Sequence, residues 1–217
     1  SENGYKRIIE LSSLSYLKNN EFTDPHLDLN VLLEENEDVA LFSGTIHGLF
    51  GKLFDKGKFS EINELYLKLR SKFQDRFYIE IQRHGDLNEV SFEKFNLLKS
   101  LELKIPIIAT NEVFYLNKDM YEAHDALVCI GEKNFVDDKN RFKYNNQHYF
   151  KSQNDLEKLY SDIPEALENN YNFHLRFNFK PKKSKPILPS ISSKESGSPE
   201  KELLKLAKTG LENRLEN

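Results

Sequence analysis

Residues 77–116 decide the fold; they begin FYIEIQRHG and end IPIIATNEVFYL. Apolar and polar residues alternate over 76–82, which predicts a strand with two different faces. The run 105–109 is continuously apolar, as expected of a parallel strand that is covered on both faces. Between them, residues 88–103 carry apolar side chains at helical spacing. A strand, a helix and a second strand in this order indicate a parallel sheet with a right-handed crossover.

The same alternation of strands and helices extends upstream of this stretch. A third strand is predicted at 39–42, and the polar residues 21–30 are predicted to form a loop. The repeated βα pattern places the protein in the α/β class, with a sheet that is open or barrel-shaped. A long polar loop is expected at 134–147. Helices are predicted at 5–17, 49–54, 59–73, 118–130, 153–160, 163–175 and 200–215.

Length, charge and cysteine content restrict the classes of protein to which the chain can belong. The chain has 217 residues, which allows one large domain or one domain with an appendage. A formal net charge of −4 argues against nucleic-acid binding through overall charge, although a local basic patch is compatible with it. The single cysteine, Cys129, lies in an apolar run and is predicted to be buried, so no intramolecular disulfide forms. No signal peptide and no apolar run of roughly 20 residues is found, so we expect a soluble cytoplasmic protein that does not engage a membrane.

The last 39 residues differ from the rest in composition. Residues 179–198 are rich in Lys, Pro and Ser and are predicted to form a linker. Its KPKKSK run (180–185) is interpreted as solvated, with contact to a phosphate backbone as the alternative. Ser198 and Pro199 predict the start of the final helix. Because the chain opens in one helical pattern and stops in another, we expect a piece of a longer protein.

Polar loops follow each of the three predicted strands. Since the carboxyl ends of neighbouring parallel strands meet at one edge of a sheet, these loops are expected to cluster. Histidines and a carboxylate in such a cluster could bind a divalent metal, but their spacing matches no metal motif. Nucleophile-elbow, P-loop and dinucleotide-binding motifs are absent from the sequence, and the acids of EAHD (122–125) are interpreted as structural. The candidate side chains of the cluster are Thr45, His47, His84, Asn111 and Glu112.

Several motifs together resemble one known family. They are YIEIQRHG, IPIIATNEVFYL, YEAHDALVCIG, the loop around Arg141, HYFKS and DIPEALENN. As an ordered set they resemble the alpha-subunit family of bacterial replicative DNA polymerase III, in the later part of its PHP (polymerase and histidinol phosphatase) domain. The final SPEKELLKLAKTGLENRL resembles the helix that begins the polymerase core of that family.

The resemblance implies a fold and a division into domains. The fold would be the later portion of a distorted, seven-stranded β/α barrel of PHP type, followed by an α-helical segment. Residues 1–150 would be the barrel portion and 151–178 a helical connection. Residues 179–198 would be the linker and 199–217 the first helix of the polymerase core.

The resemblance also implies that a metal site has degenerated. Members with an intact site carry a cysteine, an aspartate and a histidine where this chain has Thr45, Glu112 and Phe114. Phenylalanine has no ligand atom, threonine replaces a thiolate poorly, and glutamate is one methylene longer than aspartate. We therefore expect neither a functional metal nor another cofactor in this chain. The first metal motif of the family would lie before Ser1, and the polymerase carboxylates, which hold Mg²⁺, would lie beyond Asn217.

The function implied is that of a region of the catalytic subunit of a DNA-directed DNA polymerase, a nucleotidyltransferase of DNA replication. The parent protein would bind primer–template DNA, deoxynucleoside triphosphates, a proofreading exonuclease subunit and other replisome subunits. This region would be structural and partner-docking, and inactive alone. Two alternatives stay open: a metal-dependent PHP phosphoesterase or 3′–5′ exonuclease, and a pure interaction module for a proofreading exonuclease subunit. Exposed edge strands make an oligomer a further expectation.

Overall fold

The computed structural model describes residues 1–17, 24–34, 36–183, 185–186 and 198–215. The chain forms two compact units, residues 1–179 and residues 180–217. The first unit contains the sheet and is described first; the second is described by itself below.

The first unit is mixed α/β. Its helices include three short 3₁₀ turns, at Gln74–Arg76, Lys118–Met120 and His174–Arg176. Its strands are β1 (Leu41–Phe42), β2 (Phe77–Ile81) and β3 (Ile107–Ala109). Its α-helices are α1 (Glu2–Leu17), α2 (Leu29–Leu33), α3 (Leu49–Asp55), α4 (Phe59–Phe73), α5 (Glu89–Leu103), α6 (Tyr121–Glu132), α7 (Gln153–Leu159) and α8 (Pro164–Phe173).

The three strands form a parallel sheet in the order β1-β2-β3. Phe42 pairs with Tyr78, and Ile79 pairs with Ile107. Each strand is followed by at least one helix before the next strand begins, as the βα pattern predicted. The predicted α/β class and parallel sheet are therefore confirmed. The described residues form three strands, so a barrel of seven strands stays a prediction.

The core is built around β2. Its apolar side chains are almost fully buried, and Tyr78 on the other face of the strand is buried too, so both faces of β2 are covered. Helix α4 covers it with Ile62, Tyr66 and Phe73, none of which is accessible to solvent. The Tyr66 hydroxyl donates to Asn96 Oδ1 of α5 at 2.9 Å within the core, whereas Asn96 Nδ2 has no hydrogen-bond partner among the described residues.

Two helices leave apolar side chains exposed while polar ones are buried. On α5, Leu101 is 78% exposed, whereas Asn96 is buried beside Phe92. On α6 the apolar residues that include Leu127 are exposed, whereas Asp125 and Cys129 are buried. Polar groups can take buried positions when they have partners, as Asn96 has in Tyr66. Helical spacing identified the helices, but it did not identify the side that is covered. The predicted burial of Cys129 is confirmed.

Helices α7 and α8 close the first unit against β3. Ser152 caps α7 and forms a capping box with Asp155. Helix α8 lies along β3, where Asn169 Nδ2 donates to the carbonyl of Ile107 at 2.8 Å and Asn170 Nδ2 donates to that of Ala109 at 2.6 Å. Side-chain amides therefore bond carbonyls of β3 that would otherwise need another partner.

The second unit contains α9 (Pro199–Leu215), whose predicted start is confirmed by a hydrogen bond from the Lys201 N–H to Ser198 Oγ at 3.3 Å. The leucines of α9 are all exposed. Residues 180–183, 185 and 186 are exposed and form neither helix nor strand; the rest of the predicted linker, 184 and 187–197, lies outside the described residues.

The predicted loop at 21–30 is only partly described, since residues 18–23 lie outside the described part, and its last two residues belong to α2 instead. Among the described helices of the whole chain, none is long and apolar enough to cross a membrane.

Candidate functional site

The loops that follow the three strands meet at one edge of the sheet. Ser43, just after β1, donates its N–H to the carbonyl of Tyr78 at 3.0 Å, and its hydroxyl accepts the N–H of Glu80 at 3.0 Å. Thr110, just after β3, donates its N–H to the carbonyl of Ile81 at 3.0 Å. The predicted clustering of these loops is thus realised around the end of β2.

The loop after β2 is held by the first turn of α5. Gly85 adopts a φ of +84°, a conformation that side chains disfavour. This turn directs the N–H groups of His84 and Gly85 at the Glu89 carboxylate, with hydrogen bonds of 2.9 and 2.7 Å to Oε2. Burial raises the pKa of Glu89, while the backbone donors oppose that rise. The anchored loop places the His84 ring in the interior, where the residue is 2% exposed.

A second histidine lies directly against His84. His148 is also 2% exposed, and the two imidazole rings are stacked with centroids 4.2 Å apart and an angle of 6° between their planes. His148 is placed by the segment beside Phe114 and Tyr115, because its carbonyl accepts the Phe114 N–H at 2.9 Å and Tyr115 forms a parallel bridge with Tyr149.

Asp86 completes a group of three potential metal ligands. One ligand atom each from His84, Asp86 and His148 lies within 4.8 Å of the other two. Asp86 itself is held by His47 Nε2 at 3.1 Å and by Asn145 Nδ2, which donates to Oδ1 at 2.8 Å. His84 Nε2 and His148 Nδ1 are buried and have no hydrogen-bond partner among the described residues.

Both stacked histidines are held in their neutral form near pH 7. Burial lowers the pKa of His84 to about 4, and the charges of His148 and Lys151 add to that effect. Burial also lowers the pKa of His148, although Glu112 and Asp86 oppose the shift. The 3.6 Å approach of His148 Nδ1 to Glu112 Oε2 is therefore not a charged pair at neutral pH, and it is too long for a hydrogen bond.

The three positions that the resemblance marked as degenerate lie around this cluster. Glu112 is close to His148, with a side chain that is 48% exposed. The Phe114 ring packs on the His124 ring at 5.3 Å and is 5.1 Å from that of His148. Thr45 Oγ1 accepts the N–H of His47 at 3.3 Å in the turn that leads to α3. The Phe114 position therefore carries a ring that packs on its neighbours and has no atom able to bind a metal.

Sequence reasoning found part of this site. His47, with an exposed side chain, reaches the group only through Asp86, and Asn111 is engaged elsewhere, bonding Lys151 Nζ at 2.9 Å and the Tyr149 carbonyl at 3.0 Å. Asp86 and His148 were missed. The backbone pairing beside Tyr115 that brings His148 to the site joins distant parts of the chain, and no local pattern signals it.

A cavity of about 570 Å³ opens onto the cluster. Its lining contains carboxylates, among them Asp86 and Glu112, and the ammonium groups of Lys52 and Lys143. His148 forms part of its wall. The site is therefore a polar, solvent-connected recess whose wall includes the His148 imidazole, and His84 stacks on that ring.

In comparison with known proteins, residues 1–84, which include β1 and β2, match the model of the PHP domain family. Across nearly its whole length the chain is similar to a segment of bacterial DNA polymerase III alpha subunits. It is 35% identical to the DNA polymerase III subunit alpha of Caulobacter vibrioides over 216 residues, 100% of this chain and 19% of that protein. The subunit of Rickettsia prowazekii is 35% identical over 89% of this chain and 16% of the relative, and that of Pasteurella multocida is 35% identical over 98% and 18%.

The chain thus spans less than one fifth of the length of these relatives. The resemblance inferred from the sequence is confirmed.

Proposed function

We propose that the chain is the PHP region, together with the beginning of the polymerase core, of the catalytic alpha subunit of a bacterial replicative DNA polymerase. The parent protein would extend a DNA primer with deoxynucleoside triphosphates in the cytoplasm, with Mg²⁺ held by carboxylates beyond Asn217. Identity of about 35% over nearly the whole chain supports this assignment.

The fold is proposed to be the later portion of a distorted, seven-stranded β/α barrel. Its support is the parallel order β1-β2-β3, in which strands that follow one another along the chain are neighbours in the sheet. Within this proposal residues 1–150 belong to the barrel, 151–178 connect it onward, 179–198 form a linker and 199–217 begin the polymerase core.

The region itself is proposed to be structural and partner-docking, without catalytic metal at Thr45, Glu112 and Phe114. The observation that carries this is the Phe114 ring, which packs on His124 and Tyr144 with centroids 5.3 and 4.5 Å away. The Phe114 ring itself supplies packing but no ligand atom. Thr45 is likewise used in a backbone turn through its hydroxyl.

Activity assays on the purified 217-residue chain test the absence of catalysis. We expect no primer extension, and no hydrolysis of phosphate esters or of single-stranded DNA, with Mg²⁺, Mn²⁺ or Zn²⁺ added; a complete polymerase alpha subunit serves as the positive control for extension. Metal-dependent hydrolysis that Glu112→Gln abolishes would instead establish the alternative, a PHP phosphoesterase or exonuclease. Extension by the wild-type chain would contradict the proposal directly.

Docking of a proofreading exonuclease subunit is tested separately. We expect the chain to co-elute with that subunit in size-exclusion chromatography and to give a saturable heat signal on titration. An unrelated nuclease of similar size and charge is the control. Absence of binding would leave the region with a structural role alone and would remove the interaction-module alternative.

A further inference from the structure

The α7–α8 groove is a recess of about 530 Å³ in the first unit, lined by residues within 150–157 and 167–171. We propose that a protein partner docks in this groove through a short segment that combines apolar side chains with lysine or arginine. The inference rests on the partner-docking role proposed above, and it deepens that role because it names the surface and the chemistry of the segment that binds there.

Apolar side chains line much of the groove. Leu156 of α7 and Leu167 of α8 line it and also pack against the hydrophobic core. Phe150 and Tyr171 line it as well, although they are 66% and 72% exposed. Exposed apolar side chains that share one recess, unlike single ones scattered over a surface, are typical of interaction sites. Aromatic residues are also enriched among those that carry the binding energy of protein interfaces.

The walls of the groove are fixed by contacts within the first unit. The Phe150 N–H donates to the Tyr115 carbonyl at 2.9 Å, and Asn170 Nδ2 donates to a carbonyl of β3 at 2.6 Å. The Tyr171 ring meets the His174 ring edge-on, with centroids 5.8 Å apart. Because these residues are held before a partner arrives, docking orders fewer side chains and loses less conformational entropy.

The charge of the groove is negative. Glu157 of α7 and Glu168 of α8 line it, and both are exposed. Among the described residues that line the groove, the one cation is Lys151, which is 7% exposed and donates from Nζ to Asn111 Oδ1 at 2.9 Å. The surrounding stretch 150–171 contains five acidic residues and two basic ones. A partner therefore meets carboxylates beside apolar surface, and the ammonium is turned inward.

This combination selects the chemistry of the partner. A segment with lysine or arginine would place its cations beside Glu157 and Glu168, whereas an acidic segment would be repelled. A nucleic acid is disfavoured for the same reason, since its phosphates would lie against two carboxylates. Apolar side chains of the segment would cover Phe150 and Tyr171. A basic, apolar segment of a protein is thus the occupant that both the charge and the apolar lining favour.

The test selects binding segments without assuming their identity. A phage-displayed library of random peptides of about 12 residues, slightly longer as helices than α8, is selected on the immobilised 217-residue chain. We expect the enriched sequences to combine Leu, Ile or Phe with Lys or Arg. Enriched peptides are then synthesised and titrated by fluorescence anisotropy, and their affinity should fall as the salt concentration rises.

Variants of the chain locate the binding surface. Tyr171→Ala is expected to weaken binding of the selected peptides by at least about 10-fold, as the loss of an aromatic anchor does. The double reversal Glu157→Lys and Glu168→Lys should weaken it by at least about 10-fold and reduce its salt dependence, because attraction becomes repulsion. Two controls should bind as wild type does: Tyr16→Ala, at a tyrosine of α1 that is equally exposed, and Glu165→Lys, on α8 but outside the groove.

The proposal would be overturned if no peptide were enriched, if the enriched peptides were acidic, or if Tyr171→Ala and the double reversal both left binding unchanged. Peptides that bind the 217-residue chain but not an intact polymerase alpha subunit would show that the parent chain fills the groove itself, and would overturn docking by a separate partner. None of these measurements involves primer extension, DNA or an exonuclease, so their failure would leave the assignment to a polymerase subunit standing.

Discussion

Gly85 shows how a single backbone conformation prepares the histidine cluster. Its φ of +84° turns two successive N–H groups toward the Glu89 carboxylate, and the same turn sends the His84 ring into the interior. Glycine is favoured here by the backbone conformation and not by a lack of space, since a Cβ at Gly85 would meet no atom within 4 Å. The effect of a substitution at Gly85 on stability therefore depends on the cost of the positive φ alone.

Gly85→Ala is expected to lower the free energy of unfolding by about 1–2 kcal/mol, the cost of placing an L side chain at positive φ. Gly131→Ala is the matched control, since Gly131 lies within helix α6 and its Cβ would also meet no atom within 4 Å. There alanine should be neutral or stabilise by up to about 1 kcal/mol. Urea denaturation of both variants measures the difference, and equal stabilities would contradict the role given to Gly85.

The sequence predicted individual site residues only where they follow a strand. His84 and Glu112 were placed correctly because the carboxyl ends of parallel strands share one edge. Asp86 lies two residues further along a turn whose path depends on Gly85 and Glu89. His148 lies one residue after the predicted loop 134–147, and it reaches the site through backbone pairing of Tyr115 with Tyr149. Long-range pairing of this kind leaves no local pattern in a sequence.

At the scale of elements, α8 is bonded to the sheet by amide side chains as well as by apolar packing. Asn169 and Asn170 donate to carbonyls of β3 at 2.8 and 2.6 Å. Replacing both by alanine should destabilise the protein by about 1–3 kcal/mol, because each hydrogen bond contributes roughly 0.5–1.5 kcal/mol. The loss is measured by chemical denaturation.

Asn172→Ala is the control for this pair, because Asn172 is exposed on the same helix and its replacement should change stability by less than about 0.5 kcal/mol. If the double variant behaved like Asn172→Ala, the amides would have no role in joining α8 to the sheet.

Helix α6 is joined to the loop after it by a bidentate ion pair. Both Asp125 oxygens accept hydrogen bonds from the Arg141 guanidinium, at 2.7 and 2.6 Å. Hydrogen bonding to Arg141 lowers the pKa of Asp125 below its ordinary value, and burial opposes the shift only in part. Since the folded pKa is the lower one, the unfolded chain takes up this proton first as pH falls. The pair therefore stabilises fully above the ordinary carboxylate range, and its contribution is lost below that range.

Asp125→Asn should accordingly be less stable than wild type at pH 7, with the difference unchanged down to about pH 5 and shrinking toward pH 3. Urea unfolding of the two proteins at several pH values gives this difference directly, and acid effects common to both cancel. A gap that did not vary with pH would show that the charge of Asp125 contributes nothing.

The positions of helices and strands along the chain were predicted better than the sides that they bury. The bounds of α4 and β2 followed from periodicity because their apolar residues face a covered side. In α6 the apolar stripe faces solvent, and the buried Asp125 is paired with an arginine that lies outside the helix. Whether a polar residue is buried depends on its partner, and the partner of Asp125 lies in a loop whose path the helix does not determine.

For the molecule as a whole, the chain matches a segment of a relative that is more than five times its length. Within the first unit, stability depends on contacts between segments far apart in sequence. Arg83, at the end of β2, donates to Glu93 of α5 at 2.9 and 2.6 Å and to Asp162, between α7 and α8, at 2.6 and 2.8 Å. Its guanidinium also lies over the Tyr160 ring, 4.9 Å from the centroid.

Arg83→Lys should destabilise the first unit by about 1–3 kcal/mol, because an ammonium cannot bond two carboxylates in a planar fork and stack on a ring at once. Asp162→Asn alone should cost less than about 1 kcal/mol, since the Asp162 side chain is 62% exposed. A double-mutant cycle by urea denaturation should then show that the two losses are not additive, because both remove the same contact. Strict additivity would mean that Asp162 contributes nothing to the role of Arg83, which would then stabilise the fold through Glu93, the Leu159 carbonyl and the Tyr160 ring.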